Sequence, residues 1–264
     1  MVKSISLAAA APTLILLASC TASPAWPAGS SFGGPVNVAA TAYVVNEDSG
    51  TVTPIDTSTR TALAPIKVGI SPDAIAITSD GRTVLVADAD SHAVTPISTA
   101  TNRAARPIRV GPQPDAIAIT PDGQTAYVAN DNSVSRIDIP SGTPARQIKP
   151  VNAGYGPAAI AISPDGTTVY VSALFESDST VESDMPGPMT PIQAATGRPR
   201  KPLKPGNNPQ AIAISPDGRI AYVANWQSWG TVTPVNLVTG APEKPIKVGN
   251  HPIAIAVGPG ELSG

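Results

Sequence analysis

The sequence predicts an all-β repeat fold, and three observations lead to that prediction. A proline, one variable residue and the run Ala-Ile-Ala-Ile (Ala-Ile-Ala-Val in the last copy) occur five times, at intervals of 42, 43, 52 and 43 residues. An Asp-Gly pair follows each of the first four copies and favours a tight hairpin turn. Beyond the first twenty residues, no stretch has a helical apolar period of useful length. The copies begin at Pro72, Pro114, Pro157, Pro209 and Pro252.

Each repeat is predicted to form four short strands, named here inner, second, third and outer. Ala-Ile-Ala-Ile is the inner strand, and Ala-Tyr-Val-Ala-Asn or a variant follows the Asp-Gly turn as the second strand. Thr-Val-Thr-Pro-Ile and Pro-Ile-Lys-Val, or their variants, are the third and outer strands. A period in the low forties built from strand-forming residues predicts a β-propeller. The narrow centre of a propeller suits the small alanines of the inner strand.

Prolines in the outer and third strands have different consequences. At an outer edge a missing N–H costs little and discourages pairing with other sheets. In the third strand both neighbours should pair, so a proline there requires either a bulge or an N–H position that faces a strand end. The sequence leaves these two possibilities open. The third-strand prolines are Pro54, Pro96, Pro191 and Pro234.

Three second strands carry a recognisable motif. Residues 43–46 (Tyr-Val-Val-Asn), 127–130 and 222–225 (both Tyr-Val-Ala-Asn) resemble the YVTN family of β-propeller repeats, and the resemblance covers about residues 41–258. Residues 85–88 and 170–173 depart from the motif. The resemblance implies a propeller of the bacterial or archaeal cell envelope, and it implies no shared catalytic residues.

The positions of the first and last strands predict the number of blades. The repeat region begins with a second strand at Tyr43 and ends with an inner strand at residues 254–257, and four complete units lie between them. Pairing of the terminal strand with the first blade would remove free sheet edges. We therefore expect residues 41–264 to form five four-stranded blades closed by the C-terminal strand. The alternative is a dimeric or open assembly of the same blades.

The N-terminal residues predict export. Residues 1–19 combine Lys3 with a short apolar segment, which is typical of a secretory signal peptide. Residues 17–20, Leu-Ala-Ser-Cys, resemble a bacterial lipobox, which implies that Cys20 is lipidated and becomes the mature N-terminus. Residues 20–40 are rich in Ala, Ser, Pro and Gly and are predicted to be a tether. The expected location is extracytoplasmic, anchored to a bacterial membrane; the alternative is an ordinary signal peptide and a secreted protein.

The composition excludes several classes of function. With 17 Lys and Arg against 19 Asp and Glu, the chain lacks a generally basic surface for nucleic acid. A single cysteine excludes an internal disulfide, a thiolate zinc site and a redox pair of cysteines. Only two histidines are present, and no glycine-rich phosphate loop or zinc-helix motif occurs. We therefore predict no cofactor, no metal and no nucleic-acid partner.

Charge is predicted to be sorted between the faces of the propeller. The loops between second and third strands lie on the same face of a propeller as the links into the inner strands. These loops and links contain 11 of the 19 carboxylates and no Lys or Arg. We call it the acidic face. His92, His251, Trp226, Trp229 and an insertion of nine residues within 174–188 are expected on the same face. Its carboxylates are Glu47, Asp48, Asp73, Asp88, Asp90, Asp115, Asp131, Glu176, Asp178, Glu182 and Asp184.

Clustered charge of one sign favours a ligand of the opposite sign. We therefore predict a non-enzymatic cell-envelope propeller that binds or scaffolds a cationic ligand or an unidentified protein through the acidic face. One alternative is a lactonase-like hydrolase, in which Asp73 and Asp115 would do acid–base chemistry near the central axis. A structural or display role is another, because Asp and Asn favour turns without any ligand. An enzyme would require a deep central pocket with convergent acids.

Overall fold

A computed structural model describes residues 40–131, 133–140, 143–148, 156–173 and 186–258 of the chain. All regular secondary structure in this part is β-strand, arranged as five antiparallel sheets in chain order. No helix long and apolar enough to cross a membrane occurs among these residues. The predicted all-β class is confirmed, and the neighbouring positions of the four inner strands give the arrangement of a β-propeller.

The first two sheets differ in their innermost position. Among the described residues sheet 1 has no inner strand, so its second strand is its inner edge. Sheet 1 contains β1 (Thr41–Asn46), β2 (Thr51–Asp56), β3 (Thr61–Ala62) and β4 (Ile66–Lys67). Sheet 2 contains β5 (Pro72–Ile77), β6 (Thr83–Asp88), β7 (Ala93–Ser98), β8 (Arg103–Ala104) and β9 (Ile108–Arg109).

The other three sheets all begin with an inner strand, as sheet 2 does. Sheet 3 contains β10 (Pro114–Ile119), β11 (Thr125–Asn130), β12 (Ser133–Asp138) and β13 (Thr143–Ile148). Sheet 4 contains β14 (Pro157–Ile162), β15 (Thr168–Ala173), β16 (Pro186–Gln193), β17 (Arg198–Pro199) and β18 (Leu203–Asn207). Sheet 5 contains β19 (Pro209–Ile214), β20 (Ile220–Asn225), β21 (Thr231–Asn236) and β22 (Ile246–Lys247).

The Asp-Gly hairpins form as the sequence predicts. In sheet 3 the Thr120 hydroxyl donates to Asp122 Oδ1 (2.5 Å), and the Gln124 N–H donates to the same oxygen (3.0 Å). Gly123 then takes a left-handed φ of 69°, which glycine adopts without strain. Hydrogen bonds from Thr120 and from the Gln124 N–H lower the pKa of Asp122. The carboxylates of the other three hairpins make the same bonds.

The third-strand prolines are accommodated by breaking the outer strand. Pro54 offers no N–H, and the outer strand of sheet 1 splits into β3 and β4 beside it, with Leu63 N donating to Pro54 O (2.8 Å). Sheets 2 and 4 split their outer strands in the same way beside Pro96 and Pro191. In sheet 3 Arg136 occupies the proline position, and β13 is one continuous strand whose pairing shifts register between Arg136 and Ile137. The proline therefore determines where the outer strand is interrupted.

Four apolar cores lie between consecutive sheets and hold them face to face. They join sheets 1 and 2, 2 and 3, 3 and 4, and 4 and 5. Leu85, Ile117 and Ile137 fill the second of these cores and are essentially unexposed, so each contributes about 1.5–3 kcal/mol. No cluster of described residues joins sheet 5 to sheet 1.

The predicted closing strand is not formed. Residues 253–257 take no strand conformation, and β1 pairs only with β2 in the part of the chain that the structure describes. The predicted pairing of the C-terminal copy with sheet 1 is therefore not confirmed.

In sheets 2, 3 and 5 a buried polar side chain at the end of the second strand packs against the link that enters the sheet. In sheet 2 it is Asp88, which accepts hydrogen bonds from Gly69 N (3.0 Å) and the Thr95 hydroxyl (2.5 Å). Asn130 and Asn225 take the same position in sheets 3 and 5. Asp88 is 0% exposed, so the sequence-based placement of its carboxylate on the acidic face is wrong.

We expect Gly111→Ala to destabilise the domain. A Cβ at this position would lie 2.8 Å from Asn130 Cγ and 2.7 Å from Ser133 Oγ, so the buried contact would have to open. Overpacking of this kind costs about 1–3 kcal/mol, which lowers the melting temperature of a domain of this size by several degrees. The control is Gly258→Ala, whose Cβ meets nothing within 4 Å. Equal melting temperatures for the two variants would contradict the proposed importance of this contact.

Candidate functional site

Two acids of the acidic face sit at a bulge in their inner strands. The pairing of β5 with β6 shifts register between Pro72 and Ala74, and the intervening residue is Asp73. Asp115 occupies the same bulge in β10. A bulge redirects the side chain of its extra residue. Both carboxyl groups therefore lie where the inner strands begin, next to the loops of the acidic face.

The carboxyl groups of this region interact across sheets. Burial, and to a smaller extent the charges of Asp73 and Asp131, raise the pKa of Asp115 to about 7. Burial and the charge of Glu47 raise the pKa of Asp73 to about 6. Because Glu47, Asp73 and Asp131 belong to sheets 1, 2 and 3, these charge effects link acids of three neighbouring sheets. Both inner-strand acids can therefore hold a proton near neutral pH.

Asp90 and His92 have structural partners within the acidic face. Asp90 accepts hydrogen bonds from the Ser71 hydroxyl (2.6 Å) and from Gln113 Nε2 (3.2 Å), and these lower its pKa. His92 Nδ1 lies 2.9 Å from Ala89 O and 3.2 Å from Gln113 N. These two residues fasten one loop to the links on either side of it, which is a role that spacing alone did not reveal.

Asp131, Asp48 and the aromatic residues complete the described part of the face. Asp131 bonds through its backbone to both neighbouring links, and Asp48 is exposed at the tip of its loop. The Trp226 ring lies 4.5 Å from the His251 ring, centroid to centroid, tilted by 47°. Trp229 is 85% exposed. His251 thus contacts Trp226 of sheet 5.

Some predicted site residues lie outside the described part of the chain. Within that part, no group of three or more His, Cys, Asp or Glu is arranged to hold a metal ion. The loops and links of the acidic face also contain no Lys or Arg there. The undescribed site residues are Cys20, Glu176, Asp178, Glu182 and Asp184.

A cavity of about 920 Å³ lies mainly along the third and outer strands of sheet 2, and neither Asp73 nor Asp115 lines it. Arg106, Pro107 and Ile108 line it, together with Ile139 and Pro140 of the neighbouring sheet. This groove is at the opposite edge of the sheet from the inner strand. It therefore does not supply the deep central pocket that a hydrolase would need.

We expect Asp115→Asn to change how stability depends on pH. The folded protein binds a proton at Asp115 up to about pH 7, whereas the unfolded chain releases it near pH 4, so wild-type stability falls as pH rises between these values. The variant should avoid this loss and be more stable at pH 8 by on the order of 1 kcal/mol, with the difference vanishing toward pH 4. Melting temperatures across pH 4–8 would measure it.

The matched control is Asp122→Asn, in a hairpin on the opposite face. Because the folded pKa of Asp122 is lowered, its stabilisation is present above pH 4, and its removal should leave the variant less stable at pH 8. An Asp115→Asn profile parallel to wild type would contradict the assigned titration.

Comparisons with known proteins agree with this architecture. No curated protein matches the sequence at a significant level. Hydrazine synthase of Kuenenia stuttgartiensis is similar, with 26% identity and a TM-score of 0.69 over 79% of this chain and 62% of that chain. A protein of unknown function from Desulfotomaculum acetoxidans DSM 771 has 20% identity and a TM-score of 0.64, covering 79% of this chain and 66% of its own. The present chain thus spans less than two thirds of the length of these two relatives.

A proposed 6-phosphogluconolactonase from Bacteroides uniformis ATCC 8492 is also similar, with 18% identity and a TM-score of 0.64 over 80% of this chain and 69% of that one. The similarities at 20% and 18% identity demonstrate the fold alone. A sequence model of one family matches residues 2–199, which is most of the chain. The chain therefore belongs to the YNCE-like β-propeller family.

Proposed function

We propose that this protein is a lipid-anchored, extracytoplasmic propeller of five blades closed into a ring, which binds or scaffolds a partner through its acidic face. The observation that carries the proposal is the position of Asp73 and Asp115 at equivalent bulges of neighbouring inner strands, where burial and the charges of nearby carboxylates raise their pKa values. The loops and links around them contain no Lys or Arg in the described part of the chain. Such a surface attracts a cationic ligand or a basic protein surface and speeds its association.

Exposed aromatic rings provide the second element of such a surface. Trp229 is 85% exposed and Trp226 is 39% exposed, in the loop between β20 and β21. Large aromatic side chains of this kind commonly anchor a protein partner, and their faces also attract cations. We propose that the carboxylates steer the partner and that the tryptophans hold it.

The path of the chain into sheet 1 supports presentation of this face to the surroundings. The N–H and hydroxyl of Thr57 both donate to Ala40 O, at 3.0 and 2.8 Å, beside the turn between the third and outer strands. That turn is on the face opposite the acidic loops. A tether that arrives there from a lipid anchor at Cys20 would leave the acidic face turned away from the membrane.

A hydrolase is the second candidate, because carboxyl groups with pKa values near 6 and 7 can exchange protons at neutral pH. The charge around them argues against a phosphorylated sugar lactone as substrate. A phosphate group would meet carboxylates without a described Lys or Arg in the adjoining loops, and the repulsion would oppose binding. Binding of a cation or a basic surface is therefore the better-supported function.

We expect the acidic face to bind a decalysine peptide, used as a defined cationic probe. Replacing Glu47, Asp73, Asp115 and Asp131 with their amides should weaken binding at least tenfold in 50 mM salt, mainly through slower association. The control carries the same charge change on the opposite face, at Asp56, Asp80, Asp122 and Asp217, and should bind nearly as wild type does. Surface plasmon resonance at several salt concentrations would measure both. Equal weakening by the two sets of changes would show that overall charge, and not this face, governs binding.

We expect Cys20→Ser to release the protein from the membrane fraction. Without the thiol, no lipid can be attached, and the remaining apolar segment is too short to span a bilayer. Fractionation of cells expressing wild type and variant, followed by mass measurement of the mature protein, would test this. Membrane association of the variant at the wild-type level would contradict the lipoprotein assignment.

A further inference from the structure

The outer strand of sheet 3 differs from the outer strands of the other four sheets. β13 is one continuous strand of six residues. The outer strands of sheets 1, 2 and 5 are reduced to segments of two residues, and that of sheet 4 is divided into β17 and β18. β13 pairs with β12 on one side, and no strand among the described residues pairs with its other side. Sheet 3 therefore ends in an open strand edge.

A single difference in the third strand accounts for this edge. In the other sheets the third-strand proline has no N–H, and its carbonyl accepts an N–H from the interrupted outer strand, as in the bond from Ala105 N to Pro96 O (2.8 Å). Arg136 occupies that position in sheet 3 and pairs with Arg146 of β13. Because Arg136 keeps its N–H, the third strand pairs with β13 on both sides of this position, with Ala145 as the extra residue of a bulge.

An open strand edge is a template for another strand. Its unpaired N–H and C=O groups can bond to an extended peptide, and natural proteins usually blunt such edges with proline or very short strands. The other four sheets are blunted in this way. In β13 the residues 146–148 pair regularly with β12, so their backbone groups point alternately toward β12 and toward the open edge. These groups can therefore receive an added strand.

A groove lies beside this edge. The cavity of about 920 Å³ that follows the third and outer strands of sheet 2 extends to Ile139 and Pro140, which lead into β13. Arg106 and Arg109 line the groove, and both are exposed. Cα atoms of β9, which contains Arg109, lie within 8 Å of Cα atoms of β13. Side chains of a strand added to β13 would therefore lie next to the groove.

The charge around the edge and the groove has one sign. Neither Arg106 nor Arg109 forms an ion pair with a described residue. Residues 99–114 and 139–150, which include the outer strands of sheets 2 and 3, contain no Asp or Glu. Like charges on neighbouring strands are destabilising, so this edge disfavours a second copy of itself and favours an acidic strand. The basic residues are Arg103, Arg106, Arg109, Arg146 and Lys149.

We propose that sheet 3 binds an extended acidic segment of a partner protein, which adds to β13 as a strand and places its carboxylates against Arg106 and Arg109. Main-chain hydrogen bonds supply the affinity, and the arginines select acidic side chains. This surface goes beyond the proposed function, because it lies at the outer edge of the propeller and recognises a charge opposite to that recognised by the acidic face.

Sheet 4 separates the effect of charge from the effect of the strand edge. Its outer strands are also basic, with Arg198, Arg200, Lys201 and Lys204. Prolines at positions 199, 202 and 205 remove N–H groups along the same stretch, and the strand is divided there. An acidic peptide that needs only positive charge would bind both sheets, whereas one that adds as a strand would select sheet 3.

A fluorescent peptide in which Glu alternates with Thr or Val tests the proposal, with binding to the full chain followed by anisotropy. Replacing its Glu with Gln should weaken binding at least tenfold, because the arginines lose their partners. Two further versions are N-methylated at alternate residues, in opposite registers, and keep the charge. The version whose methyl groups face β13 should bind at least tenfold more weakly than the other. Equal binding by these two versions, or no binding of the Glu peptide at about millimolar concentration, would exclude strand addition.

Arg136→Pro tests the edge from the side of the protein. It restores the proline of the other sheets and should interrupt β13, so the Glu peptide should bind at least tenfold more weakly. The matched control is Arg136→Thr, which removes the same charge but keeps the N–H and should bind nearly as wild type does. Equal affinities of the two variants would contradict the proposal. If Arg136→Pro does not fold, as judged by its melting curve, the pair of N-methylated peptides still decides the question.

Neutralising the groove tests its part in recognition. Arg106→Gln combined with Arg109→Gln should weaken binding of the Glu peptide at least tenfold and leave binding of the Gln peptide unchanged. The control, Arg198→Gln with Lys201→Gln, makes the same charge change on sheet 4 and should have little effect. Equal weakening by both pairs would show that overall charge governs binding. Decalysine binding depends on the acidic face, so it should be unaffected by the groove variants, and either surface can fail without the other.

Discussion

The arrangement of sheets 2, 3 and 5 depends on a buried polar side chain where the second strand ends. Asp88 shows its action most fully, because one oxygen accepts the N–H of the incoming link and the other accepts a hydroxyl of the third strand. The link must be glycine there, since a Cβ would collide with the buried side chain. One side chain thus fixes the third strand, the second strand and the entry of the chain into the sheet. A buried polar group pays for its desolvation only when such bonds are made.

The tyrosine of the same motif acts at the opposite end of the second strand. Tyr43 donates to Asn102 Oδ1 (2.8 Å) in the turn of sheet 2, and Tyr127 donates to Ala194 O (2.8 Å) in the turn of sheet 4. Tyr and Asn therefore connect neighbouring elements on the two faces of the propeller, while the valine between them enters a core. These separate contacts of the three residues explain why Tyr, Val and Asn recur together in the second strands.

Local chemistry made the sheets predictable, and long-range packing limited what else the sequence could reveal. Strands and Asp-Gly hairpins follow from short patterns, so their prediction succeeded. The proline positions indicated that strand pairing would be interrupted, but the interruption lies in the outer strand because that strand is the partner of the third strand. The sequence-based placement of Asp88 failed because its buried carboxylate accepts hydrogen bonds from Gly69 N and from the Thr95 hydroxyl. Gly69 is distant in the sequence, and Thr95 comes close only when β6 pairs with β7. The coupling of Asp115 to Asp73 likewise depends on the curvature that brings inner strands together.

Sheet 4 lacks the Asn or Asp at the end of its second strand, and its structure shows what that side chain contributes in the other sheets. Ala173 stands where the other sheets have Asn or Asp, and the buried hydroxyls of Thr190 and Ser172 have no hydrogen-bond partner among the described residues. Thr190 is the equivalent of Thr95, whose hydroxyl is satisfied by Asp88. An unsatisfied buried hydroxyl costs about 1–3 kcal/mol, so the loss of the Asn or Asp side chain weakens sheet 4 at this end. The one long insertion of the repeat array follows Ala173 directly. The repeats therefore differ most in sequence at the position where sheet 4 lacks the Asn or Asp contact of the other sheets.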